Sequence, residues 1–185
     1  MKYMKTILFF DADGTLWYPK KTKYKEKPWW IYDHPKLKSS DPLKHLTLMP
    51  YVKETLKKLH SMGLTLVLVS QLPYNKKVAL QKLIRMTKHF GIYNFFDEIR
   101  PSYSSIKRNR PDPKNIAILD VLGRRKISKR NALMIGDSYN FDYLAAKSCG
   151  VDCVLIHAFE HVKDDKQYKR VHKKIKKLNE VLKYI

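Results

Sequence analysis

An α/β fold in three layers, a parallel sheet of about five strands covered by helices on both faces, is what the pattern of this chain predicts. Three observations lead there. Short apolar runs alternate with segments of helical period, as when parallel strands are joined by crossover helices. The runs are apolar throughout, as suits interior strands of a parallel sheet. Three of them also end in an acid or a hydroxyl, and parallel topology gathers such ends at one edge, where ligands bind.

The first strand is Ile7-Leu8-Phe9-Phe10, which runs into Asp11-Ala12-Asp13-Gly14-Thr15-Leu16. Gly14 lets the chain leave the strand in a conformation closed to other residues, and Thr15 can hydrogen-bond inside the turn. Residues 17–50 are expected to form a flap or extended loop insert: Pro28, Pro35, Pro42 and Pro50 break long helices and central strands, leaving room for one short hairpin. From Tyr51, Val52, Leu56 and Leu59 share a helical face, with Gly63 as the stop. Leu64 to Ser70 is the second strand. Residues 75–89 form an amphipathic helix closing at Gly91, Phe95 to Ile99 a short third strand, and Pro101 to Pro113 a loop. Lys114 to Leu122 reads as a helix ended by Gly123. Ala132 to Ile135 is the fourth strand, leading into Gly136-Asp137-Ser138. Tyr139 to Ser148 continues as helix to Gly150, and Val154-Leu155-Ile156 is the fifth strand. Residues 164–185 are expected as a basic amphipathic helix, with Val171, Ile175, Leu178 and Leu182 on one face.

A length of 185 residues suits one domain, 1–185, with a full core. No apolar run approaches about 18 residues, so no membrane span is expected, and the first residues do not read as an export signal. Cys149 and Cys153 do not match metal or redox spacing; they are expected reduced, in a cytoplasmic protein. The seven histidines show no metal-ligand spacing either. Lysine and arginine number 38 against 17 acids, a formal net charge of +21. That field attracts phosphorylated metabolites, phosphoproteins and nucleic acids alike. A lysine-rich composition also occurs in thermophile proteins, although the acids needed for ion-pair networks are scarce here.

Asp11 and Asp13 stand close together, and like charges that close need a cation, a shared proton or separate roles. Asp137, with Asp142 beyond it, and Ser70 end other strands at the same sheet edge. Several carboxylates and a hydroxyl beside basic loops outline a metal-assisted phosphate site, and Mg2+ suits it because that ion takes oxygen ligands and bridges to phosphate.

These residues resemble a known family. Asp11-Ala12-Asp13-Gly14-Thr15-Leu16, Ser70 and Gly136-Asp137-Ser138-x-x-x-Asp142 look like the first, second and fourth motifs of the haloacid dehalogenase superfamily, in the expected order over about Lys5 to His157. The resemblance implies a Rossmann-like sheet with a minimal cap or flap and an open site. It implies Asp11 as the nucleophile that forms an aspartyl-phosphate, and Asp13 as the acid and then the base. It also implies magnesium held by Asp11, the Asp13 main-chain carbonyl and Asp137, with Asp142 and Ser138 in the surrounding shell. Ser70, Gln71 and backbone amides after Asp11 would bind the phosphoryl oxygens. The family expects a lysine before the helix that precedes the fourth strand, and Arg110-Pro111-Asp112-Pro113-Lys114 puts Arg110 at the matching position. Lys107 and Lys114 are rivals for that role, since arginine and lysine are not interchangeable.

Trp17 extends a pattern similar to that of capless magnesium-dependent phosphatases, where it would either stack on a substrate ring or plug the structure. Trp29 and Trp30, among lysines, read as the core of a small flap or as a stacking platform for nucleic acid. The function expected is magnesium-dependent hydrolysis of a phosphotyrosine-like, protein-bound or sugar phosphomonoester. The alternatives are a phosphatase of nucleic-acid ends and a non-catalytic polyanion-binding module with a vestigial site.

Overall fold

Strand β1 (Ile7–Phe10) occupies the middle of the sheet, and its four side chains are all fully buried. The computed structural model describes residues 4–20, 41–72, 74–102, 113–157 and 166–185. Two short strands, β2 (Trp17–Pro19) and β3 (Leu46–Leu48), pair antiparallel at the base of the 17–50 insert. The expected residues Trp29 and Trp30 lie outside the described residues. Helix α1 (Val52–Ser61), strand β4 (Thr65–Gln71), helix α2 (Lys76–His89) and strand β5 (Glu98–Ser102) follow. Next come helix α3 (Pro113–Arg125), strand β6 (Ala132–Gly136), a π-helical turn over Tyr139–Tyr143 and helix α4 (Leu144–Ser148). Strand β7 (Asp152–Ile156), helix α5 (Lys166–Lys169) and strand β8 (Lys174–Ile175) complete the sheet, and a 3-10 helix runs over Leu178–Tyr184.

Six parallel strands stand in the order β5-β4-β1-β6-β7-β8. Alternate side chains of each strand feed two cores. Leu8, Phe10, Leu66, Leu68 and Ile135 pack with α1 and α2 on one face, and Ile7, Phe9, Val67, Val69 and Met134 with α3 and α4 on the other. The chain builds outward from β1 through β4 to β5, then returns to build from β6 to β8. The reversal falls between β1 and β6, and a crevice for ligands opens at that point of an open α/β sheet.

Four expectations are corrected. The sheet has a sixth strand. β5 starts at Glu98 rather than Phe95 and includes Pro101, read from the sequence as loop: Phe95 belongs to a 3-10 turn, and an edge strand tolerates a residue without an N–H. Helix α3 runs past Gly123 to Arg125 and ends where Lys126 takes a positive φ of 54°. Residues 166–185 do not form one basic helix. Val171 and Ile175 pack against the sheet instead, because a parallel edge at β7 offers a ladder for Lys174 and Ile175.

Candidate active site

The carboxylates enter from the two strands that flank the switch point. Asp11 follows β1, and its N–H donates to the Ile135 carbonyl of β6 at 2.9 Å, tying the two strand ends together. Asp137 follows β6. The chain between them and the protein surface turns tightly: Gly14 has φ 83°, and its N–H donates to the Trp17 carbonyl at 2.9 Å. A residue with a Cβ resists that conformation.

Asp142 is fully buried in the π-helical turn after β6. One of its oxygens accepts the N–H of Asp137 at 3.1 Å and of Ser138 at 2.9 Å. The Ser138 hydroxyl accepts the Phe141 N–H at 3.2 Å and so caps the same turn. Gly136 makes room for this arrangement, since a Cβ there would overlap the Asp142 carboxyl.

Lys114, in the first turn of α3, supplies the facing positive charge. It is 3% exposed, and its Nζ lies 2.7 Å from Asp11 Oδ1 and 2.6 Å from Asp142 Oδ1. Burial alone would lower its pKa, but Asp11 and Asp142 outweigh that and push it up, so the ammonium stays charged. Burial also pushes the Asp142 carboxyl up, to about 7, against the pull of Lys114. Arg110 and Lys107, the other candidates for this position, lie outside the described residues.

Asp13 is partly exposed and accepts the Trp17 indole N–H at 2.5 Å. Burial, with the Asp11 and Asp137 charges, raises its carboxyl to about 7 against the opposing pull of Trp17 and Lys114. Such a group can carry a proton near neutral pH, which a general acid needs. Trp17 itself is fully buried and stacks on Phe90, so it does not offer a face to a ligand.

Ser70 and Gln71 end β4 beside this cluster. The Ser70 hydroxyl and the Gln71 side-chain oxygen are buried, and neither has a hydrogen-bond partner among the described residues. Buried polar atoms left unpaired cost about 1–3 kcal/mol each, so groups of this kind at a sheet edge are suited to a polar ligand.

Ligand oxygens of Asp11, Asp137 and Asp142 lie within 4.8 Å of one another. Hard carboxylate oxygens packed this closely, with the Lys114 ammonium beside them, fit Mg2+ well. Both Asp142 oxygens already accept N–H groups, one from Lys114 and the other from the main chain of Asp137 and Ser138, which fixes the carboxyl in place.

Sequence reasoning placed Asp11, Asp13, Ser70, Asp137 and Asp142 at one sheet edge, and the structure brings them together. It undervalued Lys114 and missed Gly136 and the Trp17–Asp13 bond. A signal for Lys114 was present: it stands in phase with Ala117, Ile118 and Val121, the buried stripe of α3.

Residues 11–156 match the family model for haloacid dehalogenase-like hydrolases. A phosphoglycolate phosphatase of Vibrio vulnificus is 36% identical over 104 residues, 56% of this chain and 41% of that protein. The chain thus spans about two fifths of the length of the curated relatives it matches. Among solved structures, a haloacid dehalogenase-like hydrolase from Streptococcus pneumoniae superposes with a TM-score of 0.69 at 20% identity, covering 97% of this chain and 98% of its own. A phosphatase of the same superfamily from Thermococcus onnurineus gives 0.66 at 22% identity, covering 97% of each chain.

Proposed function

This chain belongs to the haloacid dehalogenase-like hydrolase family, and from that membership we propose that it is a magnesium-dependent phosphomonoester hydrolase working through an aspartyl-phosphate on Asp11. The observation that carries the reading is the convergence of Asp11, Asp137 and Asp142 around the buried Lys114.

Each residue has work that its surroundings support. Asp11 attacks phosphorus, and the bond from phosphorus to the leaving oxygen breaks as Asp13 delivers its proton there. Water then attacks the aspartyl-phosphate while Asp13 takes a proton from it, and the phosphorus bond to Asp11 breaks. Lys114 neutralises Asp11 and the incoming phosphate, and Ser70, Gln71 and backbone amides after Asp11 take the phosphoryl oxygens. Asp11 and Asp137, with the Asp13 main-chain carbonyl, would hold magnesium. When bound, the ion supplies positive charge beside the phosphoryl group and lets the acids stay ionised at close range.

The matched relatives named phosphoglycolate phosphatase make a small phosphorylated carboxylic acid the first substrate to test. Sugar phosphates, a phosphotyrosine peptide and an end-phosphorylated oligonucleotide complete the panel. Hydrolysis of para-nitrophenyl phosphate by the pure protein with Mg2+ is expected, abolished by EDTA and by Asp11→Asn. An inactive protein, or an Asp11→Asn variant as active as the parent, overturns the reading.

A further inference from the structure

The bond between the Trp17 indole and Asp13 joins the turn after β1 to the hairpin of the 17–50 insert. Trp17 opens β2 and pairs with Leu48 on β3, its carbonyl accepts the Gly14 N–H, and a β-bridge links it to Asp13. Its ring is fully buried and stacks on Phe90 at 5.6 Å with an interplanar angle of 25°. The indole therefore has no freedom to turn, and its only donor points at one oxygen of one carboxyl group, 2.5 Å away.

We propose that Trp17 is a positioning residue: its indole N–H ties down Asp13 Oδ1 so that the other carboxyl oxygen faces the leaving group. This rests on the phosphatase reading above. A buried indole needs an acceptor, and a backbone carbonyl would have met that need. Here the acceptor is the group expected to move the proton. An N–H donor favours the ionised carboxyl over the neutral one.

The test compares leaving groups. An alkyl phosphate needs its leaving oxygen protonated, whereas para-nitrophenolate departs without much help. Trp17→Phe keeps a stacking ring and loses the donor; benzothienylalanine at position 17 keeps the full indole shape with sulfur in place of N–H, in case the phenylalanine variant folds poorly. The kcat/KM for glycerol phosphate, which reports only the steps up to the aspartyl-phosphate, is expected to fall about tenfold or more in either variant, with that for para-nitrophenyl phosphate changed by less than about threefold. In an Asp13→Asn background the same replacements should have no further effect on that ratio. Equal losses on both substrates, or no loss on either, overturn the inference. A parent protein inactive on both substrates overturns the phosphatase reading instead. The inference falls with that reading, and the Trp17 indole N–H resonance, followed on Asp13→Asn, then reports only whether the bond itself exists.

Discussion

Lys114 shows how much can depend on one buried cation. Removing one partner of a buried ionic cluster leaves the others uncompensated, at a cost of about 3–5 kcal/mol. Lys114→Met would leave Asp11 and Asp142 facing each other at the strand ends with their ammonium gone. Loss of activity and a stability loss of that order are expected, read from urea unfolding in EDTA; unchanged stability would show that the cluster relaxes by taking up protons. Lys114→Arg should not restore activity, because the planar fork cannot replace a point charge set between two carboxylates. Asp11, Asp13 and Asp137 were legible from sequence because apolar runs mark interior strands and their ends mark the edge. Lys114 was legible only as a rival of Arg110 and Lys107, because a lysine in the first turn of a helix is most often solvated and Arg110 stands at the position that matches the motif.

Elements are held in register by contacts that the apolar pattern does not report. Lys5, just before β1, is buried and donates to the carbonyls of Arg130 at 2.8 Å and Ala132 at 3.0 Å and to Asp152 at 2.9 Å. It fastens the starts of β1, β6 and β7. Burial alone would raise the Asp152 carboxyl, but hydrogen bonds from Lys5 and Lys173 outweigh it and hold it below its ordinary value. A depressed carboxyl stabilises the fold above its unfolded pKa of about 3.9, and that stability is lost as pH falls through the lower folded value. Asp152→Asn should therefore be less stable than the parent at pH 7, by under about 1 kcal/mol since the side chain is 38% exposed, with the two converging in acid once pH falls below the lowered carboxyl. Urea midpoints across pH check it, and a gap that persists in acid would show that the bond does not depend on charge. Interior strands were legible because burial on both faces writes a continuous apolar run. The edges were not: β5 contains Pro101 and β8 only two residues, and both depend on a neighbouring ladder rather than on their own pattern.

For the whole molecule, topology and charge set the conditions under which the site works. The switch between β1 and β6 brings Asp11 and Asp137 together without any special sequence between them, which is why an ordered set of strand ends was enough to locate the site. Charge follows a different logic. Among the described residues the acids are shared between several cations, Glu98 with Arg100, Arg124 and Arg125, and Asp152 with Lys5 and Lys173. Local pairing therefore leaves most of the net charge of +21 as a field over the surface. A field of that sign raises the encounter rate of anions and is screened within about 10 Å at 0.1 M salt. For a small phosphomonoester, kcat/KM is expected to fall severalfold between about 0.02 and 0.5 M salt, while kcat at saturation stays within about twofold, because Lys114 and the carboxylates are buried and escape screening. Steady-state kinetics at several ionic strengths read both quantities. A kcat/KM that ignores salt would show that the positive surface does not steer substrate to this edge of the sheet. A kcat that falls in parallel would mean that the buried cluster is open to ions.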